Sequence, residues 1–299
     1  MLTSRVASDP DTNSGPSWKL STNQSRDSIL PALVSIPPAL LGVPFDAASS
    51  SRRGAALAPP RIREALRSPA GNSWAERIVE VVCDDGFEDL GDLDLPESDA
   101  ARARIEAAIA ALAGRPFIAL GGDHSITYPI VRGLGVDRST LTILHVDAHP
   151  DLYDVFEGDR FSHACPFARI MEERLARRLI QVGIRTMTGQ QRDQARRFGV
   201  EQIDMRAWAA GARPADMTGP VYVSIDLDGI DPAFAPGVSH REPGGLTVRD
   251  VLGLLGALDA RLVGADIVEF NPTVDVSDLT ALVAAKLVKE LLATWRTAT

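Results

Sequence analysis

Leu141-Thr142-Ile143-Leu144-His145-Val146-Asp147-Ala148-His149-Pro150-Asp151 is the stretch that decides the fold. Its first half is an apolar run without strict polar alternation, as expected of a strand buried on both faces. Parallel sheets covered by helices have that property. Pro38–Val43, Phe117–Leu120, Leu179–Val182, Val221–Ile225 and Leu262–Val268 read the same way. Helical stretches separate them: Arg61–Leu66 just after Pro59-Pro60, the Ala-rich Ala101–Ala113, and a final helix over Thr280–Thr294. Strands alternating with helices predict βαβ units and an α/β fold with a mostly parallel central sheet. The unusual residues sit at the C-terminal ends of these strands, the edge where open α/β sheets bind ligands.

The second half of the stretch carries chemistry. Asp147, His149 and Asp151 are spaced two apart, so an extended chain points them to one side. Ser224-Ile225-Asp226-Leu227-Asp228 repeats the device with Asp226 and Asp228. Gly121-Gly122-Asp123-His124 follows another apolar run, and its glycines allow a tight turn that delivers His124 to the same edge. Four carboxylates crowded together repel and cannot all stay ionised without compensation. Two divalent cations supply four positive charges. The predicted ligands are therefore His124, Asp147, His149, Asp151, Asp226 and Asp228. Oxygen donors with some imidazole suit two Mn²⁺ best, with zinc, iron, cobalt and nickel open. Cations sharing carboxylates in this way lie roughly 3.5 Å apart.

Composition narrows the partners. The net charge of -9 argues against nucleic-acid binding and favours a small cationic substrate. No apolar run approaches the length of a membrane span. The two cysteines, Cys83 and Cys165, make neither a disulfide framework nor a thiolate metal site, which suggests a reducing compartment. Residues 1–30 are polar and read as a flexible tail, with residues 31–299 as a single catalytic domain. Asp9, Asp11 and Asp27 fit poorly with an acid-poor transit peptide, so the expected location is cytoplasmic.

Gly121-Gly122-Asp123-His124-Ser125, Asp147-Ala148-His149-Pro150-Asp151 and Ser224-Ile225-Asp226-Leu227-Asp228-Gly229-Ile230-Asp231-Pro232 resemble the signatures of the ureohydrolases. That family holds arginases, agmatinases, guanidinobutyrases and formiminoglutamases. The resemblance runs from about Pro38 to the C-terminus. It implies a three-layer α/β/α fold, two manganese ions on the six ligands above, hydrolysis of a guanidino substrate to release urea, and a homotrimer or homohexamer. It also implies a proton-shuttle role for His163, in Phe161-Ser162-His163-Ala164, and guanidinium binding by Glu269. Asp151 and Asp228 would assist catalysis, Asp228 by orienting the attacking water. Tyr153–Gly158 and Asp231–Leu246 look most like plant-type arginases, which favours L-arginine over agmatine or another guanidino compound. In that reading His240 lines the substrate and Arg241 attracts its carboxylate. Asp159 stands where plant-type arginases tend to have Asn and would welcome an amino group. No expected ligand is missing, against a non-catalytic homologue, and Glu269 argues against a different metal hydrolase.

Overall fold

The computed structural model describes residues 36–296, so the predicted tail over residues 1–30 lies outside the described residues. In chain order the strands are β1 (Ala39–Val43), β2 (Glu88–Asp92), β3 (Phe117–Gly121), β4 (Thr142–Val146), β5 (Arg178–Val182), β6 (Glu201–Ile203), β7 (Pro220–Asp226) and β8 (Arg261–Val268). The helices are α1 (Ala58–Leu66), α2 (Ala100–Ala111), α3 (Thr127–Gly133), α4 (Pro166–Glu172), α5 (Gly189–Phe198), α6 (Met205–Ala209), α7 (Val248–Gly256) and α8 (Leu279–Arg296). The strands form one sheet in the order β2-β1-β3-β8-β7-β4-β5-β6, and every pair in it is parallel.

Alternation along each strand makes two cores. On β4, Leu144 and Val146 pack with residues of α1, α7 and α8 on one face. Ile143 packs with residues of α2, α3 and α4 on the other. Helices therefore cover both faces, giving the three-layer α/β/α fold. Both-face burial explains the unbroken apolar runs of the central strands.

The strand order positions the site. β3 and β4 follow one another among the strands, yet β8 and β7 lie between them in the sheet. Chain direction across the sheet switches there, and such a switch opens a crevice at the C-terminal strand ends. The ends of β3, β8, β7 and β4 all open onto it.

Candidate metal centre

The six predicted ligands converge at that crevice. His124 opens the turn after β3, Asp147, His149 and Asp151 follow β4, Asp226 ends β7 and Asp228 sits in the turn that follows it. His124 Nδ1 lies 3.3, 3.0 and 3.1 Å from carboxylate oxygens of Asp147, Asp151 and Asp226. His149 Nδ1 lies 3.1 Å from Asp228 and 3.5 Å from Asp147. Two groups result: His124 with Asp147, Asp151 and Asp226, and His149 with Asp147 and Asp228. Asp147 belongs to both, turning Oδ2 to His124 and Oδ1 to His149.

Ser224 Oγ donates its single proton to Asp266 at 2.6 Å, so it accepts from His124 Nε2 at 3.0 Å. Neutral His124 then aims a Nδ1 lone pair at three carboxylates, and Nδ1 is buried without a hydrogen-bond partner. A positive charge has to stand among them. Burial opposes charge on His124, yet Asp147, Asp151 and Asp226 raise its pKa well above normal. Burial and the charges of Asp228 and Asp147 push Asp226 up; burial and Asp147 push Asp228 up to about 7. A divalent cation in each group satisfies the same oxygens and the orphan nitrogen.

Backbone close approach makes the cluster possible. A Cβ on Gly229 would stand 2.8 Å from the backbone N and Cα of Asp147, so only glycine lets the turn carrying Asp228 lie against Asp147. Gly122 likewise lies against the backbone of Phe45.

Above the cluster is a cleft of about 170 Å³, lined in part by His149, Asp151, His163, Asp226, Asp228, His240 and Glu269. Glu269 Oε1 accepts from His124 N at 2.9 Å and lies 3.3 Å from His163 Nδ1. Burial would raise the Glu269 pKa, but the His163 hydrogen bond and charge lower it below the usual value. Burial would lower that of His163, but the same partner raises it to about 9. His163 Nε2 meets Ser50 Oγ at 2.8 Å, and its ring stacks on His240 with centroids 5.1 Å apart. Asp159 and Arg241 do not line this cleft. Asp159 is exposed, and its Oδ1 accepts from Phe161 N at 2.8 Å within its own loop. Arg241 donates to Pro236 O and Val274 O. Larger hollows beside Trp208 and Phe198, about 690 and 890 Å³, contain none of the clustered ligands.

His145, Gln181 and Arg185, which carry no motif in the sequence, also hold the site. His145 Nε2 meets Asp147 Oδ2 at 2.7 Å, and Gln181 meets His145 Nδ1 at 3.0 Å. Period-two spacing run one step back from Asp147 points to His145. Arg185 reaches Asp228 O, Gly229 O and Glu242 O, joining the β7 turn to the loop that carries His240. No local signal marks Arg185, because its acceptors are backbone carbonyls distant in sequence.

A model of the arginase family matches residues 37–294. "Arginase 1, mitochondrial" of Arabidopsis thaliana is 48% identical over 273 residues, covering 85% of this chain and 80% of that one. The solved structure of an arginase from Medicago truncatula matches with a TM-score of 0.79 at 43% identity, covering 87% of each chain. An agmatinase of Bacillus anthracis is 33% identical over 266 residues, 86% of this chain and 91% of its own. These names correct the expected cytoplasmic location. The Arabidopsis relative and an arginase of Medicago truncatula are named mitochondrial, which points to an organelle. Asp9, Asp11 and Asp27 are only three acids among thirty residues, too few to decide against an organellar address that is read from a whole segment.

Proposed function

The chain belongs to the arginase family of ureohydrolases, enzymes that act on guanidino substrates, and from that premise we propose that it hydrolyses L-arginine to L-ornithine and urea with two Mn²⁺ ions. The observation that carries this reading is the shared carboxylate of Asp147 between two donor groups, whose members His149, Asp151, Asp226 and Asp228 line the same cleft as Glu269 and His163. His124, Asp147, Asp151 and Asp226 would hold one cation, and His149, Asp147 and Asp228 the other. Bound there, such a pair would supply Lewis acidity that brings the pKa of a water at the site toward neutrality.

The remaining roles fall to side chains. Glu269, kept ionised by His163, offers charge-assisted hydrogen bonds to the planar guanidinium. Asp228 accepts a hydrogen bond from the attacking water and orients it. Attack at the guanidinium carbon gives a tetrahedral centre whose departing amine needs a proton. His163, protonated at neutral pH, stands on the cleft wall to give it, and Ser50 holds its Nε2. His240 stacks behind His163 and lines the substrate. On the family resemblance we also propose a homotrimer or homohexamer.

Agmatine is the second reading. It is favoured by one observation: among the described residues no Lys or Arg lines the cleft, so none of them offers a full positive charge to an α-carboxylate there. The test compares kcat/KM for L-arginine and agmatine in the Mn²⁺-supplemented enzyme, reading urea with ornithine or putrescine. A higher value for agmatine makes the second reading correct. No urea from either substrate sinks both.

A further inference from the structure

Beneath the ligand layer, five strands carry polar residues in register. Gln202 on β6 faces Gln181 on β5, which faces His145 on β4. His145 faces Ser224 on β7, which faces Asp266 on β8. Residues in register share a face, so these five form one lateral row on the side covered by α2, α3 and α4. Asp147, just past β4, and Asp226, at the end of β7, follow His145 and Ser224 by two residues, above the row. Gln181, His145, Ser224 and Asp266 are fully buried, and Gln202 is half-buried on the edge strand. Buried polar groups are costly unless each is paired, so the pattern of pairing carries information.

On the β6 side the hydrogen bonds run in one direction. Gln202 Nε2 donates to Gln181 Oε1 at 2.8 Å. Gln181 Nε2 donates to Pro150 O at 2.7 Å, and a carbonyl can only accept, which fixes the end of the amide that is nitrogen. The second amide proton goes to His145 Nδ1 at 3.0 Å. Nδ1 is thus the acceptor, the ring proton sits on Nε2, and Nε2 donates to Asp147 Oδ2 at 2.7 Å. Phe167 of α4 stacks on the His145 ring with centroids 3.9 Å apart and holds it in that plane.

We propose that Gln202, Gln181 and His145 form a positioning arm that locks His145 as an Nε2–H donor and thereby fixes the carboxylate of Asp147 shared by both donor groups. The arm rests on the metal-centre reading. Asp147 uses one oxygen for each group, so a rotation of its carboxylate detunes both at once. The arm runs from the sheet edge to the centre through three adjacent strands, and side-chain atoms relay the alignment.

The test titrates Mn²⁺ into metal-stripped, full-length protein by calorimetry, without substrate. His145→Phe keeps a ring stacked on Phe167 and removes the donor; Mn²⁺ affinity is expected to fall about 10–100-fold, the usual effect of losing an outer-shell partner. His145→Gln keeps a donor within reach of Asp147 and is expected to restore most of that loss. Gln181→Met leaves His145 in place but frees its tautomer, with affinity falling about 10-fold and ring ¹⁵N resonances of His145 no longer reporting a proton held on Nε2. Wild-type affinity in both His145→Phe and Gln181→Met overturns the arm. If His145→Phe does not fold, Gln181→Met decides alone, and unchanged affinity with an unchanged tautomer overturns it. A wild type that binds no Mn²⁺ defeats the metal reading instead; the ¹⁵N spectrum of the metal-free protein then still decides the arm, which a proton on Nδ1 overturns.

Discussion

Asp151 and Glu269 both adopt left-handed backbone conformations, at φ 50° and 63°. For residues other than glycine such conformations cost about 1–3 kcal/mol each and persist where surroundings enforce them. Here the enforcement is visible. Glu269 N is tied to Gly122 O at 2.9 Å, and its Oε1 to His124 N at 2.9 Å. The twist turns a strand-ending carboxylate back over the cluster, where it meets His163. That contact matters for proton transfer, because it keeps His163 charged up to about pH 9 although the ring is buried. His163→Asn removes the titrating group while leaving all six predicted ligands. We expect both metals to stay bound by elemental analysis and kcat to fall about 10²–10⁴-fold, the range of general acid catalysis. A kcat equal to wild type removes His163 from the chemistry.

At the level of elements, what the sequence discloses depends on where each one sits in the sheet. The central strands β3, β4, β7 and β8 are buried on both faces and read as apolar runs. The edge strands are not. β2, Glu88–Asp92, alternates exposed and half-buried residues and holds three acids among its five, and β6 is only Glu201–Ile203. An edge strand is paired on one side and escapes double burial, so its composition carries little signal. Helices α3 to α7 run five to ten residues and are absent from the sequence reading. One signal for α5 was available, the capping box from Thr188 to Gln191. The clustering of the six candidate ligands is legible in the sequence, because spacing by two points to Asp147, His149, Asp151, Asp226 and Asp228 and the Gly121-Gly122 turn points to His124. Asp159, a departure from the plant-type loop pattern, and Arg241, in a loop that resembles it, lie outside the cleft lining, and loops carry no such spacing rule. Glycine placement at element junctions is equally invisible in advance, and it has a consequence at Gly229. Gly229→Ala drives a Cβ against the backbone of Asp147, which cannot swing aside as a side chain would. Overpacking of this kind costs about 1–3 kcal/mol. We expect Asp228 to be pushed away from Asp147 and the variant to hold one Mn²⁺ per chain by elemental analysis. Two bound ions and unchanged activity show that the turn has slack.

For the whole molecule, the crevice is also a seam. β8 and β7 enter the sheet late in the chain, between β3 and β4, and the donor groups tie the ends of β3, β4 and β7 together with Glu269 of β8 alongside. Four buried carboxylates at one seam repel in the metal-free protein, and the pKa of Asp226 and Asp228 rises in response to burial and to neighbouring acids. Cations that bind the folded chain and not the unfolded one stabilise it by mass action, about 2.7 kcal/mol for a site at a hundred times its Kd. Because the ligands come from three strands widely separated in sequence, an unfolded chain offers no equivalent site, and the effect falls on global unfolding. Calorimetric melting of the metal-stripped protein should therefore give a Tm at least about 5 °C below that of the Mn²⁺-loaded protein. Asp147→Ala should shrink that gap most, since Asp147 serves both groups, while Asp159→Ala, on an exposed loop, should leave it unchanged. Equal melting with and without Mn²⁺, in a protein shown to bind it, means that the cluster does not hold the seam.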